Sequence, residues 1–263
     1  MNAPAAPAPH ERITAAIRAA AQRGPALVAF MTAGFPRRDT FRAQLTAVAA
    51  AADVVEIGVP FTDPMADGVT IQRSSRAALA QGVTLRWILE ELAAMPAVKA
   101  PLLLMSYLNP LLAFGYDELA AAAERARVAG FIVPDLPFDE GGDLRRALEA
   151  RGIALVQMAT PVTTPARLAK VCGACRGFVY AVTMTGTTGR HVAVPDEVIA
   201  YLDRVRAVSA VPVCAGFGIR SREQVARLAG HVDGVVVGSA LVEVLERGED
   251  PAAWLGSLRP DPA

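Results

Sequence analysis

Three carboxylates near one predicted strand could carry proton-transfer chemistry. Glu56 lies inside the apolar run 54–57, whose β-branched residues predict a buried strand. Burying a carboxylate is unfavourable by roughly several kcal/mol unless it is compensated, and burial raises its pKa towards the range of a general acid–base. Asp63 and Asp67 follow in the loop after this strand, where an α/β enzyme would keep catalytic groups.

Each of these acids also has a structural interpretation. Glu56 could be one half of a buried ion pair. Asp67 precedes Gly68, which is typical of a turn, although its carboxylate could also accept a hydrogen bond from a ring N–H or a hydroxyl. Asp63 precedes Pro64, and it is more consistent with holding the loop or meeting a partner. Glu56 is therefore the first candidate for proton transfer and Asp67 the second.

Helices and strands alternate along the chain and define the elements that must position these acids. Strands that are apolar on both faces and alternate with helices predict a parallel sheet of the α/β class. Eight such units in about 220 residues predict a (β/α)8 TIM barrel, in one catalytic domain over residues 10–263. An extra N-terminal helix over residues 10–23 would close the N-terminal end of the barrel. The strands are predicted at 26–32, 54–57, 102–105, 130–133, 153–158, 177–182, 211–215 and 234–237.

Composition excludes several classes of function. The 26 acidic and 26 basic residues give a net charge of zero, so the chain lacks the basic character of a nucleic-acid or anionic-membrane binder. No apolar run is long enough for a transmembrane helix. Residues 1–9 are rich in Pro and Ala without the features of a signal peptide, and they predict a disordered tail on a cytoplasmic protein.

The cysteines form a short motif of low specificity. Cys172 and Cys175 have the C-x-x-C spacing of a redox pair or of half a zinc site. A helix end before the next strand is the favoured interpretation, because no second pair and no nearby histidine would complete a site. With Cys214 the count is odd, which favours reduced thiols.

Glycines after the last two predicted strands indicate an anion site. Gly216 and Gly218 follow the seventh strand, while Gly238 and Ser239 follow the eighth and open a helix. Glycine lets backbone N–H groups approach an anion, and a helix N-terminus adds a partial positive charge. These two loops commonly bind phosphate in this fold, although each could also be an ordinary tight turn.

Other strand ends supply further candidates. Phe30, Tyr107 and Asp135 lie at or after predicted strands. Tyr180 could hydrogen-bond a ligand or the Glu56 carboxylate, or it could be a core aromatic residue with a satisfied hydroxyl. The polar, Gly-containing segment 183–194 has the composition of a closing lid, or of a plain flexible loop.

The segment that contains Glu56 and Asp67 resembles a known family signature. Residues 55–72, VEIGVPFTDPMADGVTIQ, closely resemble the signature of the tryptophan synthase alpha subunit. The GFGI and GSA segments, LMSYLNP at 104–110 and VPDLP at 133–137 extend the resemblance from Arg12 to the last helix. The family's reaction is the retro-aldol cleavage of indole-3-glycerol phosphate to indole and glyceraldehyde 3-phosphate.

The resemblance implies a role for each matching residue. Glu56 would be the general acid–base and Asp67 the second catalytic acid. The implied substrate-binding residues are Phe30, Ile71, Met105, Ile132, Tyr180, Phe217 and Val236, and the implied phosphate ligands are Gly189, Gly218, Gly238 and Ser239.

The resemblance also implies which cofactor the reaction needs and which partner this chain has. The route needs no metal and no organic cofactor in this chain, whereas the family's beta subunit uses pyridoxal phosphate and receives indole within an alpha-beta-beta-alpha heterotetramer. Some apolar loop residues could meet such a partner or could simply pack within their own loops, namely Pro60, Phe61, Met65, Leu108, Pro110 and Leu111. The alternatives are a stand-alone indole-glycerol-phosphate lyase and a catalytically inactive regulatory subunit that binds a phosphate ligand.

Overall fold

Short apolar segments form the strands of one closed barrel. The computed structural model describes residues 6–183, 194–216 and 218–260. Each strand pairs in parallel with the next along the chain, and β8 pairs with β1, which confirms the predicted (β/α)8 topology. The strands are β1 Ala26–Thr32, β2 Val54–Gly58, β3 Leu102–Met105, β4 Val128–Ile132, β5 Ala154–Ala159, β6 Val179–Val182, β7 Val213–Gly216 and β8 Gly234–Val237.

Helices surround the barrel, and a 3-10 turn over Arg38–Thr40 precedes α2. None of the helices in the described parts of the chain is long and apolar enough to cross a membrane. The α-helices are α1 Pro9–Ala21, α2 Phe41–Ala51, α3 Val69–Ala80, α4 Leu85–Ala94, α5 Leu108–Phe114, α6 Tyr116–Arg125, α7 Gly142–Glu149, α8 Pro165–Ala174, α9 Asp196–Val208, α10 Arg222–Leu228, α11 Ser239–Glu246 and α12 Pro251–Leu258.

Helix α1 closes the N-terminal end of the barrel, as predicted. Its Ile13 and Ile17 are fully buried and pack against the side chains that fill the barrel interior. The Thr14 hydroxyl donates to the carbonyl of Gly177 at 2.7 Å, and the Arg18 guanidinium donates to the carbonyl of Ala210 at 2.9 Å. These carbonyls precede β6 and β7, so α1 covers the N-terminal end and leaves the carboxyl ends of the strands for a site.

Two layers of apolar side chains result from the alternation along the strands. One set packs beneath the helices, and along β1 it includes Leu27, Ala29 and Met31. The other set fills the barrel interior because successive strand residues point to opposite faces. The interior set includes Val28, Val54, Leu103, Ile132, Val156, Phe178, Cys214 and Val236.

Several helix boundaries differ from the sequence prediction. The sequence predicts a helix near residues 74–81, whereas α3 begins at Val69, because Gly68 in an extended conformation starts it directly after the loop. The sequence predicts Asp39 or Thr40 as the N-cap of the second helix; Thr40 is the N-cap of α2, whereas Asp39 lies in the 3-10 turn and pairs with Arg37. Helix α11 begins at Ser239, in agreement with the prediction that Gly238 and Ser239 open a helix, whereas α12 was not predicted.

Candidate active site

Glu56 lies in the barrel interior. On β2 it is in register with Phe30 of β1 and Leu103 of β3. Glu56 is only 1% exposed to solvent. Its Oε2 atom is buried and has no hydrogen-bond partner among the described residues. Burial, and secondarily the negative charge of Asp67, raises the pKa of Glu56 to about 8. Glu56 is therefore a buried, neutral acid at pH 7 rather than half of an ion pair.

Asp67 lies in the loop between β2 and α3, next to this buried acid. Burial raises the pKa of Asp67 to about 6, while the hydrogen bond from the Tyr107 hydroxyl lowers it. The same hydroxyl accepts a hydrogen bond from the Ala66 backbone N–H at 2.9 Å, and the Tyr107 ring stacks on Phe61 with centroids 5.0 Å apart. Tyr107 thus positions Asp67, a role that the sequence did not reveal although the residue lies only two positions after β3.

The residues predicted to bind substrate fall into two adjoining apolar groups. Phe30, Ile71 and Met105 pack in one cluster with Phe35 and Val242. Met105 also packs against the interior group, which contains the remaining described members of the predicted pocket. These members are Ile132, Tyr180 and Val236, whereas Phe217 lies outside the described residues.

Two glycines make room for the aromatic rings of this pocket. A methyl group added at Gly58 would lie 2.5 Å from Cζ of Phe30, and one added at Gly216 would lie 2.8 Å from the Tyr180 hydroxyl oxygen. Tyr180 is partly buried on β6, and burial followed by the charge of Glu56 raises its pKa. The Tyr180 hydroxyl therefore shares the interior with Glu56, as its predicted role requires.

The glycine-containing loops after β7 and β8 lie beside the apolar pocket. Gly218 has a φ of 66°, in the left-handed region that favours glycine, and no atom lies within 4 Å of the position of an added methyl group. Gly238 precedes Ser239, the first residue of α11, and its added methyl group would lie 3.8 Å from Cβ of Phe30. The predicted ligand Gly189 lies outside the described residues.

The predicted lid is described only at its ends. The backbone N–H and the hydroxyl of Thr183 both donate to the carbonyl of Gly216, at 3.3 and 2.8 Å. Residues 184–193 lie outside the described residues, so the lid stays a prediction.

Some residues predicted to meet a partner are not available on the surface. Pro60 and Leu111 are buried, so for these two residues the alternative of ordinary packing holds and a partner contact does not. Met65 in the loop after β2 is 85% exposed, and Val69 at the start of α3 is also exposed. Leu112, in α5 after the neighbouring strand β3, is exposed as well. The exposed apolar surface therefore includes residues that the sequence prediction omitted.

The cysteines and acids do not form a metal centre within the described residues. Cys172, Cys175 and Cys214 are free and buried, and Cys175 follows the last residue of α8, so the favoured interpretation as a helix end is confirmed. In the same described ranges, no group of three or more His, Cys, Asp or Glu side chains is arranged to hold a metal ion.

Comparisons with known proteins identify the family of this barrel. The model of the family described as the tryptophan synthase alpha chain matches residues 17–255. The tryptophan synthase alpha chain of Desulfovibrio desulfuricans is 47% identical over 244 residues, covering 91% of this chain and 96% of that protein. That of Nitratidesulfovibrio vulgaris strain DP4 is 44% identical over 247 residues, covering 93% and 96%.

Solved structures of related proteins share the fold. A Mycobacterium tuberculosis tryptophan synthase structure has a TM-score of 0.86 at 37% identity, covering 95% of this chain and 96% of that chain. Tryptophan synthase subunit alpha from Legionella pneumophila strain Paris has a TM-score of 0.85 at 30% identity, covering 97% and 98%. The resemblance seen in residues 55–72 is thereby confirmed over almost the whole chain. The chain belongs to the tryptophan synthase alpha chain family, whose members are lyases of tryptophan biosynthesis.

Proposed function

We propose that this chain cleaves indole-3-glycerol phosphate to indole and glyceraldehyde 3-phosphate, with Glu56 as the general acid–base. The observation that carries the proposal is the Glu56 carboxyl group, which is 1% exposed, has an unpartnered Oε2 and has a pKa raised to about 8. A buried acid without a structural partner is unfavourable for folding, so its presence is explained by a function. We place that function in one catalytic domain over residues 10–263.

Glu56 would transfer a proton on each side of the bond that is cleaved. The neutral Glu56 carboxyl first donates its proton to C3 of the indole ring, which makes the ring a leaving group. The resulting carboxylate then accepts the proton of the side-chain hydroxyl on the carbon attached to C3. As that hydroxyl becomes the aldehyde carbonyl, the carbon–carbon bond breaks and its electrons return to the ring. Indole keeps the new C3 proton, and Glu56 ends in its starting protonation state.

Asp67 would stabilise the charge that develops on the ring. Protonation at C3 makes the ring N–H strongly acidic, and an ionised carboxylate is a suitable acceptor for its hydrogen bond. The pKa of Asp67, raised to about 6, still leaves it mostly ionised at pH 7, when Glu56 is neutral. The two acids therefore have the opposite protonation states that their different roles need.

The apolar and glycine-containing parts of the site would hold the two ends of the substrate. Phe30, Ile71 and Met105, with Ile132, Tyr180, Phe217 and Val236, would enclose the indole ring. Gly218, Gly238, Ser239 and Gly189 would bind the phosphate. A methyl group added at Gly238 would lie 3.8 Å from Cβ of Phe30, and this closeness of the loop after β8 to the ring pocket supports the arrangement.

Membership of the tryptophan synthase alpha chain family supports a beta-subunit partner for this chain. We propose an alpha-beta-beta-alpha complex in which the beta subunit uses pyridoxal phosphate to join indole to serine, and this chain needs no cofactor of its own. The exposed side chains of Met65 in the loop after β2, Val69 at the start of α3 and Leu112 in α5 support a protein contact there. Neither nucleic acid nor a membrane is expected as a partner.

Turnover by the chain alone tests these assignments. The alpha-subunit proposal predicts slow release of indole from indole-3-glycerol phosphate and acceleration on addition of a beta subunit. Fast turnover that a beta subunit does not change would instead identify a stand-alone lyase. Substrate binding without any cleavage, alone or with a beta subunit, would identify an inactive regulatory subunit.

A further inference from the structure

We propose that Arg220 is the cationic group of the phosphate site, where it orients the hydroxyl of Ser239 as a donor and attracts the anion. The inference deepens the proposed function and rests on it. The phosphate ligands named so far are backbone N–H groups and one hydroxyl, all of them neutral. Arg220 lies two residues after Gly218, in the same loop, and adds the positive charge that these groups lack.

The Arg220 guanidinium is held beside Ser239 by the side chains around it. Its Nη2 lies 3.4 Å from the Ser239 hydroxyl oxygen. The same guanidinium forms a two-point pair with Glu243 of α11, at 2.8 and 3.0 Å. Glu243 also accepts from the Thr70 hydroxyl of α3 at 3.2 Å. The Glu243 carboxylate thus accepts two hydrogen bonds from Arg220 and one from Thr70. These bonds fix the Arg220 guanidinium in the orientation that faces the start of α11.

This contact determines which way the Ser239 hydroxyl can act. An arginine has only donors, so Ser239 must accept from Arg220 with its oxygen lone pair. The hydroxyl proton is then free to donate elsewhere, and a phosphate oxygen beside Gly238 and Ser239 is an acceptor in the required place. Arg220 is therefore a positioning residue through Ser239 and a source of positive charge for the anion.

Partial exposure allows the pair to respond to an anion. The Arg220 and Glu243 side chains are 26% and 27% exposed, so the guanidinium is partly accessible to solvent. Glu243 cancels part of the positive charge that a phosphate would experience. If Arg220 binds the phosphate, removal of Arg220 should weaken phosphate binding and removal of Glu243 should not, whereas either change would equally disrupt a purely structural ion pair.

The affinity for glycerol 3-phosphate, a probe without the indole ring, tests the inference. Titration calorimetry on the full chain would compare the wild type with Arg220→Met, Glu243→Gln and the matched control Arg227→Met. Arg227 belongs to α10 and pairs with Asp196 on the surface. We expect Arg220→Met to weaken binding about tenfold or more, Glu243→Gln to bind as tightly as wild type or more tightly, and Arg227→Met to bind like wild type.

A second comparison separates positioning from a general structural effect. Arg220→Met should raise the KM for indole-3-glycerol phosphate with a smaller change in kcat, and its effect on affinity should shrink in a Ser239→Ala background. Arg220→Lys should recover part of the affinity. Equal weakening by Arg220→Met and Glu243→Gln, or no weakening by Arg220→Met, would overturn the inference.

Failure of the proposed reaction can be distinguished from failure of the inference about Arg220. If the wild type binds glycerol 3-phosphate through Arg220 but does not cleave indole-3-glycerol phosphate, the inference stands and the proposed reaction fails. If the wild type cleaves the substrate and Arg220→Met retains wild-type phosphate affinity, the reaction stands and the inference fails. If the wild type neither binds the probe nor cleaves the substrate, both fail.

Discussion

The negative charge of Asp67 raises the pKa of Glu56, although the two residues belong to different elements, a loop and a strand. Burial is the larger cause of the raised pKa, because Glu56 is almost completely removed from solvent. The two carboxyl groups consequently titrate as an interacting pair, Asp67 near pH 6 and Glu56 near pH 8. Between these values one group is ionised and the other neutral, which is the state that the proposed cleavage needs.

This pairing predicts a bell-shaped dependence of kcat/KM on pH. Activity should fall below about pH 6 as Asp67 becomes protonated, and above about pH 8 as Glu56 loses the proton that it must donate. Asp67→Asn should reduce kcat/KM, remove the acidic limb and move the alkaline limb to lower pH, because the charge that raises the Glu56 pKa is gone. An alkaline limb that stays in place in Asp67→Asn would contradict the coupling.

The Tyr107 hydroxyl predicts a specific shift of the acidic limb. Its hydrogen bond lowers the pKa of Asp67, so Tyr107→Phe should raise that pKa and move the acidic limb of the pH profile to higher pH. Tyr201→Phe is the matched control, since the Tyr201 hydroxyl is buried on α9 and has no hydrogen-bond partner among the described residues. The same shift in both variants would show that Tyr107 acts on the fold rather than on Asp67.

The close approach of Phe30 to Gly58 predicts the effect of one added methyl group. Gly58→Ala would place that group 2.5 Å from the Phe30 ring, so the ring must move or the strands must separate. We expect a loss of stability of about 1–3 kcal/mol and a higher KM for indole-3-glycerol phosphate. Gly256→Ala in α12, where no atom lies within 4 Å of the added group, should leave KM unchanged and stabilise slightly. Thermal unfolding and steady-state kinetics would check both variants.

Burial of Glu56 predicts a stability that falls with pH. The folded-state pKa, about 8, lies above the ordinary value of 4.5, so the folded protein holds this proton more tightly than the unfolded chain. The associated stability is present below about pH 4.5 and is lost as the pH rises towards 8. Glu56→Gln should therefore be more stable than wild type at pH 8.5, by up to about 3 kcal/mol, with the difference shrinking towards pH 5. Denaturant titrations at both pH values measure this; a constant difference would contradict the assigned pKa.

Sequence patterns predicted the strands well because each strand is a short apolar run. The bounds of β1 and β8 agree with prediction, and Glu56 was recognised because a carboxylate interrupts one of these runs. Helix starts were less predictable. The start of α3 depends on Gly68 taking an extended conformation, and Val69 and Thr70 are β-branched residues that disfavour a helix on propensity alone.

Contacts between distant segments account for what the sequence did not reveal. Tyr107 reaches Asp67 because β3 lies beside β2 in the barrel. Arg220 reaches Glu243 and Ser239 because β7 and β8 are neighbours, so the loops that follow them meet. The sequence left open whether Leu111 meets a partner or packs internally, and in the structure it lies on the buried side of α5. Such pairings depend on the closed barrel rather than on local sequence.

Release of indole from indole-3-glycerol phosphate by the wild type and by Glu56→Gln tests the central assignment most directly. Glutamine keeps the size of the side chain but cannot exchange the proton, so we predict retained substrate binding and a kcat lower by orders of magnitude. The surface variant Glu118→Gln, which loses only an exposed pair with Arg86, should behave like wild type. Near-wild-type kcat in Glu56→Gln would contradict the account.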